Sequence, residues 1–250
     1  MADFDNRLAR GAATVADRVD TGLRAHMLRV YNYMVGALAL TGAVAYLVSN
    51  SPALLNLFYH QVLTANGVAL SPTILGWVVM LAPLGLVFFL SFRIMQMSQV
   101  AAQATFWAYA ALVGASLSSI LIAYTGASVA MTFFVTAGTF GAMSLWGYTT
   151  KRDLTGFGSF LFMGLIGLLL ASLANMFFKS SMLNFVVSVL GVLIFTGLTA
   201  WDTQKIKNTY YQVGGDAAVA GKAAIMGALS LYLDFLNIFL FLLRFMGNRR

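Results

Sequence analysis

Ala223-Ala-Ile-Met-Gly-Ala-Leu-Ser-Leu-Tyr-Leu-Asp234-Phe-Leu-Asn-Ile-Phe-Leu-Phe-Leu-Leu243 is a run of 21 residues with one charge, Asp234, near its middle. A helix crossing a bilayer needs about 20 apolar residues. An ionised carboxylate near its centre costs roughly 2.5–3.5 kcal/mol on insertion scales. Twelve Leu, Ile and Phe neighbours share the run, and each returns about 0.3–0.6 kcal/mol, so the segment still inserts. The stretch therefore reads as a membrane span. Asp234 reads as a residue kept for function: it faces the protein interior, has a partner, and handles a proton or an ion. The plainer alternative is a satisfied buried polar group that only fixes helix packing.

The rest of the chain agrees with that class. Of 250 residues, 60% are hydrophobic and 9% charged, against about 25% charged in soluble domains. Mean hydropathy is +0.83. This is an integral membrane protein whose first partner is the lipid bilayer. The sequence has no Cys, which excludes disulfides and thiolate metal sites. Every acid is an Asp, at positions 3, 5, 17, 20, 153, 202, 216 and 234. His26 and His60 are too far apart in sequence to form a local metal-ligand pair. No Gly-rich phosphate loop or nucleophile–His arrangement is present, so neither an enzyme nor a cofactor is expected. The net charge of +7 is better explained by basic loops that orient helices than by nucleic acid.

Hydropathy divides the chain into a cytoplasmic tail, 1–29, and seven spans near 30–49, 73–92, 104–124, 129–148, 157–177, 185–202 and 223–243. Within the tail, Val15, Val19 and Leu23 recur at helical spacing and Asp20 stands four residues before Arg24, the pattern of a short amphipathic helix at the membrane surface. Residues 50–72 read as a loop with a surface-lying turn at Leu54–Phe58, and 203–222 as a polar loop marked by Gly214 and Gly215. With the N-terminus cytoplasmic, eleven basic residues fall inside and four outside, as the positive-inside rule requires. Arg244, Arg249 and Arg250 are the discordant group. A re-entrant last segment would return them to the cytoplasm, so six spans plus such a segment is the alternative to seven. Paired small residues such as Gly114 and Ser118, Gly138 and Gly141, and Gly164 and Gly167 read as helix-packing faces. Trp77, Trp107, Trp146 and Trp201 lie near span ends, as interfacial anchors do.

Three charged groups lie at or within spans: Arg93, Asp202 and Asp234. Asp202 has an ordinary reading, a carboxylate at a helix end pairing with Lys205 three residues on. Around Asp234, Ser230 at i−4 and Asn237 at i+3 share its helix face and are candidates to support it or a bound ion. Two carboxylates brought close in a low dielectric cannot both ionise cheaply, and they titrate as one unit. Such a pair is a natural proton sensor. Arg93, ending the second span, is a candidate latch for one carboxylate, or else a positive-inside anchor snorkelling to headgroups.

The motifs Ala200-Trp-Asp-Thr-Gln204 and Leu231-Tyr-Leu-Asp-Phe-Leu-Asn-Ile-Phe239 resemble those of the Bax inhibitor-1 (transmembrane Bax inhibitor motif) family. Leu28-Arg-Val-Tyr-Asn-Tyr-Met34 and Leu242-Leu-Arg-Phe-Met-Gly-Asn-Arg-Arg250 resemble its bacterial, YccA-like branch. The resemblance implies an all-α fold of seven transmembrane helices with the last helix central and wrapped by the other six. It implies a multi-pass protein of the bacterial inner membrane in which Asp202 and Asp234 form a buried, pH-responsive pair. A pH-gated leak for cations, calcium being the family's usual ion, is the function it implies. Some members carry an acid within the second span, where this chain reads Met80-Leu-Ala-Pro-Leu84. Calcium prefers 6–8 oxygen ligands, more than this core offers, so transient passage is expected at Asp202 and Asp234 and no tight metal site. The second reading is non-enzymatic, a modulator of a membrane-bound AAA protease acting through residues 1–29. An intramembrane aspartyl protease is disfavoured, because the contexts Trp201-Asp202 and Leu233-Asp234 lack that chemistry's motifs.

Overall fold

The computed structural model describes residues 2–64, 67–213 and 216–249. The side chains of residues 2–20, 61, 63, 64 and 67–70 lie outside the description, and so do the tail pairing of Asp20 with Arg24 and the Gly214-Gly215 turn. The chain is almost wholly helical: α1 (Ala2–Asn50), α2 (Pro52–Phe58), α3 (Ile74–Arg93), α4 (Gln99–Ala123), α5 (Gly126–Thr149), α6 (Thr155–Phe178), α7 (Ser181–Val213) and α8 (Ala217–Met246). Among the described residues seven helices are long and apolar enough to cross a membrane, the first over Thr21–Asn50.

Local chemistry sets the helix starts. Thr73, Ser98, Thr125 and Asp216 each accept a hydrogen bond from a backbone N–H of the following turn, satisfying donors that a helix end leaves free. In the turn before α6, the Thr155 hydroxyl and N–H both donate to Asp153. These bonds hold that carboxyl below its usual range.

Three expectations change. First, the described part of the expected loop 50–72 is mostly regular: α2 spans the turn expected at Leu54–Phe58, and strands β1 (Tyr59–Thr64) and β2 (Gly67–Pro72) pair antiparallel beyond it. Second, α7 runs on to Val213, so most of the expected polar loop is helix. Ile206 and Gln204 are buried there while Lys205 and Asn208 are exposed, a two-faced pattern that hydropathy alone does not register. Third, α1 continues through Arg29 without a break. Its buried stripe Leu23, His26, Met27, Val30, Met34, Ala37 and Thr41 begins before the expected span.

The core lies along α8. Half of its most apolar window is buried, against 17% for α3 and for α6. Its main neighbours are α7, α1, α5 and α4, whereas α3 packs mainly on α4 and α6 on α7. The other helices therefore do not wrap it equally. Nor does α8 turn back: it is one unbroken helix of 30 residues, which removes the re-entrant alternative. Buried Tyr232 on α8 bonds Thr41 of α1 at 2.7 Å, and Thr41 donates on to the Ala110 carbonyl of α4 at 2.9 Å. Past α8 the chain is fastened to the α4–α5 turn. The Asn248 carbonyl accepts from the Thr125 N–H, and Arg249 bridges Tyr124.

Small residues set two close approaches of α7. Gly147 of α5 lies against the backbone of Ala200, and Gly158 of α6 lies beneath the Trp201 indole. Gly114 likewise meets α1 at Thr41. Gly138, Gly141 and Gly167, read from sequence as packing residues, face open space. Trp107 and Trp201 are also drawn inward, the former against Tyr33 and Phe106, while Trp77 and Trp146 stay exposed.

Candidate functional site

The motif around Asp202 divides its labour. Ala200 is wholly buried at the α5 contact. Trp201 covers Gly158, and the Lys205 ammonium lies over its indole ring at 4.9 Å. Thr203 bonds Ser144 at 2.9 Å, and Ser144 bonds Tyr31 at 2.5 Å, tying α7 to α5 and α1. Gln204 clamps the α5–α6 turn, accepting from the Leu154 N–H and donating to the Arg152 carbonyl, both at 2.8 Å. Every member but one is spent on packing or bonding. Asp202 alone is left to face α8.

Across that interface Asp234 projects from α8 and is only 4% exposed. Asp202 faces the same helix from α7, beside Gly227 and Ser230. The Oδ2 of Asp234 is fully enclosed and has no partner among the described residues, which is costly for a buried oxygen.

The remaining candidates divide. Ser230 joins Asp202 in lining a cavity of about 200 Å³ between α7, α8 and α1. Asn237 instead donates to the Leu233 carbonyl of its own helix at 2.8 Å. Arg93 is exposed and donates to Gln96 at 2.6 Å, and no ion pair among the described residues joins it to either Asp. Lys205, engaged with Trp201, makes no ion pair with Asp202 either, although it lines the same cavity.

His26 was missed as a site residue. It is 5% exposed, lines the Asp202 cavity, stacks near Tyr210 at 5.4 Å, and its Nε2 has no partner. The available signal was its position on the apolar stripe of α1, three residues after Leu23 and four before Val30. Asp202, Lys205 and His26 are thus the ionisable groups that line this cavity, with Ser230 and Thr209 as neutral oxygens. Among the described residues no group of three or more metal-ligating side chains is present. What the arrangement offers is a buried carboxyl on α8 and a narrow recess beside Asp202, bordered by α7, α8 and α1.

The profile of the family described as "inhibitor of apoptosis-promoting Bax1" matches residues 23–250. Inner membrane protein YbhL of Escherichia coli is 48% identical over 246 residues, covering 98% of this chain and 100% of its own. A Caulobacter vibrioides protein is 49% identical, with full coverage of both chains. Protein RP147 of Rickettsia prowazekii is 49% identical over 92% of each.

Proposed function

The chain belongs to this Bax inhibitor family of multi-pass membrane proteins, and we propose that it is a pH-responsive leak for cations, calcium among them, gated where Asp202 meets Asp234. One observation supports the reading: a carboxyl buried in the most enclosed helix has an oxygen without a partner among the described residues, and Asp202 faces that helix from α7. With one proton shared, the pair joins α7 to α8. Once that proton leaves, two like charges in a low dielectric repel, and the interface has reason to part or to take up a cation in the proton's place. The recess lined by Asp202, Ser230 and His26 supplies the route. Two carboxylates and a hydroxyl fall short of the 6–8 oxygens calcium prefers, which suits passage better than storage. The positive-inside count puts the recess on the cytoplasmic side of a bacterial inner membrane. This reading assigns no catalytic residue.

Calcium flux into proteoliposomes at several pH values tests the proposal. The parent protein is expected to change its flux with pH, and Asp202→Asn or Asp234→Asn to remove that dependence while each purifies as a folded species. If both variants follow the parent at every pH, the pair is not the gate.

A further inference from the structure

At the end of the bundle opposite the recess, α6, α7 and α8 border a groove of about 930 Å³ whose lining includes Lys179, Arg244 and Arg249. All three are exposed, and no ion pair among the described residues neutralises any of them. No Asp lies near them in sequence. The Asp residues outside the tail are 153, 202, 216 and 234, in the α5–α6 turn, on α7 toward its C-terminal end, at the α8 N-cap and in the α8 interior. Three cations around one groove repel one another, and an anion between them relieves that cost.

The walls identify the kind of anion. Lys179 caps α6, and Leu169, Leu173 and Met176 descend from it along the same helix on the same groove. They cover ten residues, roughly 15 Å of helix rise. All three are more than half exposed, which on a membrane helix means they face lipid. Charge at the helix ends with an apolar wall beneath matches a phospholipid, its phosphate among the cations and an acyl chain along α6. A free phosphate would leave the wall unused. Lys179 also holds a left-handed backbone, φ 48°, where Gly or Asn is the cheaper choice.

We propose that this groove binds a phospholipid with a net negative headgroup. The three cations include two of the Arg that a simple charge-inside layout leaves unexplained. The proposal is independent of the Asp pair.

The test titrates delipidated protein in detergent with phosphatidylglycerol, phosphatidylcholine and inorganic phosphate, counting bound lipid by native mass spectrometry. Phosphatidylglycerol is expected to be retained, phosphatidylcholine not, and phosphate is expected not to displace the bound lipid at matched concentration. Removing each cation should weaken binding about fivefold, so the Lys179→Gln, Arg244→Gln double variant should bind on the order of twentyfold more weakly. The Lys179→Arg, Arg244→Lys variant keeps the charge and should bind like the parent, which separates lost charge from lost fold. Equal retention of the two lipids, displacement by phosphate, or undiminished binding by the Gln variant overturns the proposal.

Discussion

Gly147 shows how closely a single residue can set helix spacing. A Cβ there would lie 2.8 Å from the carbonyl carbon and Cα of Ala200, backbone atoms that cannot rotate away. Gly147→Ala is therefore expected to destabilise by about 1–3 kcal/mol through overpacking. Gly138→Ala, which meets open space, should leave stability unchanged or slightly raised. Thermal unfolding in detergent compares the two, and equal midpoints would refute the contact. The sequence showed both glycines but not which of them touches a neighbour. At the candidate site, Asp234 stood out because a charge in an apolar run has a cost that demands a reason. Asn237 misled because helical phase tells which face a residue occupies and not which acceptor it chooses. In an apolar surrounding its amide took the Leu233 carbonyl of its own helix. Arg93 misled for a related reason, since a long side chain at a helix end finds its partner locally, here Gln96.

At the scale of elements, Gln204 clamps the α5–α6 turn to α7. Gln204→Ala would leave the Leu154 N–H and the Arg152 carbonyl without their bonds, a cost of about 1–3 kcal/mol concentrated in one turn. Hydrogen exchange is expected to quicken over residues 150–156 and to stay unchanged in α8. Unaltered exchange in that turn would show that the clamp holds nothing. The spans were readable because bilayer thickness imposes a length on apolar runs. The α7 extension to Val213 and the β1–β2 hairpin lie where that constraint lapses. One continues as a helix with Ile206 turned inward, and the other pairs two short strands that a hydropathy profile averages away.

For the whole molecule, the most apolar helix is not the most enclosed. α3 has the highest mean hydropathy, 2.3, yet only 17% of its window is buried, whereas α8 at 1.9 is half buried. Lipid rewards apolar side chains on the outside, while the interior accepts Tyr232 and Thr41 because they bond each other there. Hydropathy alone therefore could not have found the centre of this bundle; the resemblance carried by the two Asp motifs did. Seven crossings also put the ends of the bundle on opposite sides. Reporters fused before Thr21 and after Arg249 are expected to light up in different compartments, with the N-terminal one cytoplasmic. A shared compartment would require a helix that fails to cross.

The position of α8 bears on biogenesis. Ribosomes deliver helices in chain order, so the most enclosed helix is the last of the seven to arrive. Six predecessors have to wait in the bilayer around an unfilled slot until the newcomer slides in. Assembly of the nascent protein thus finishes at its centre.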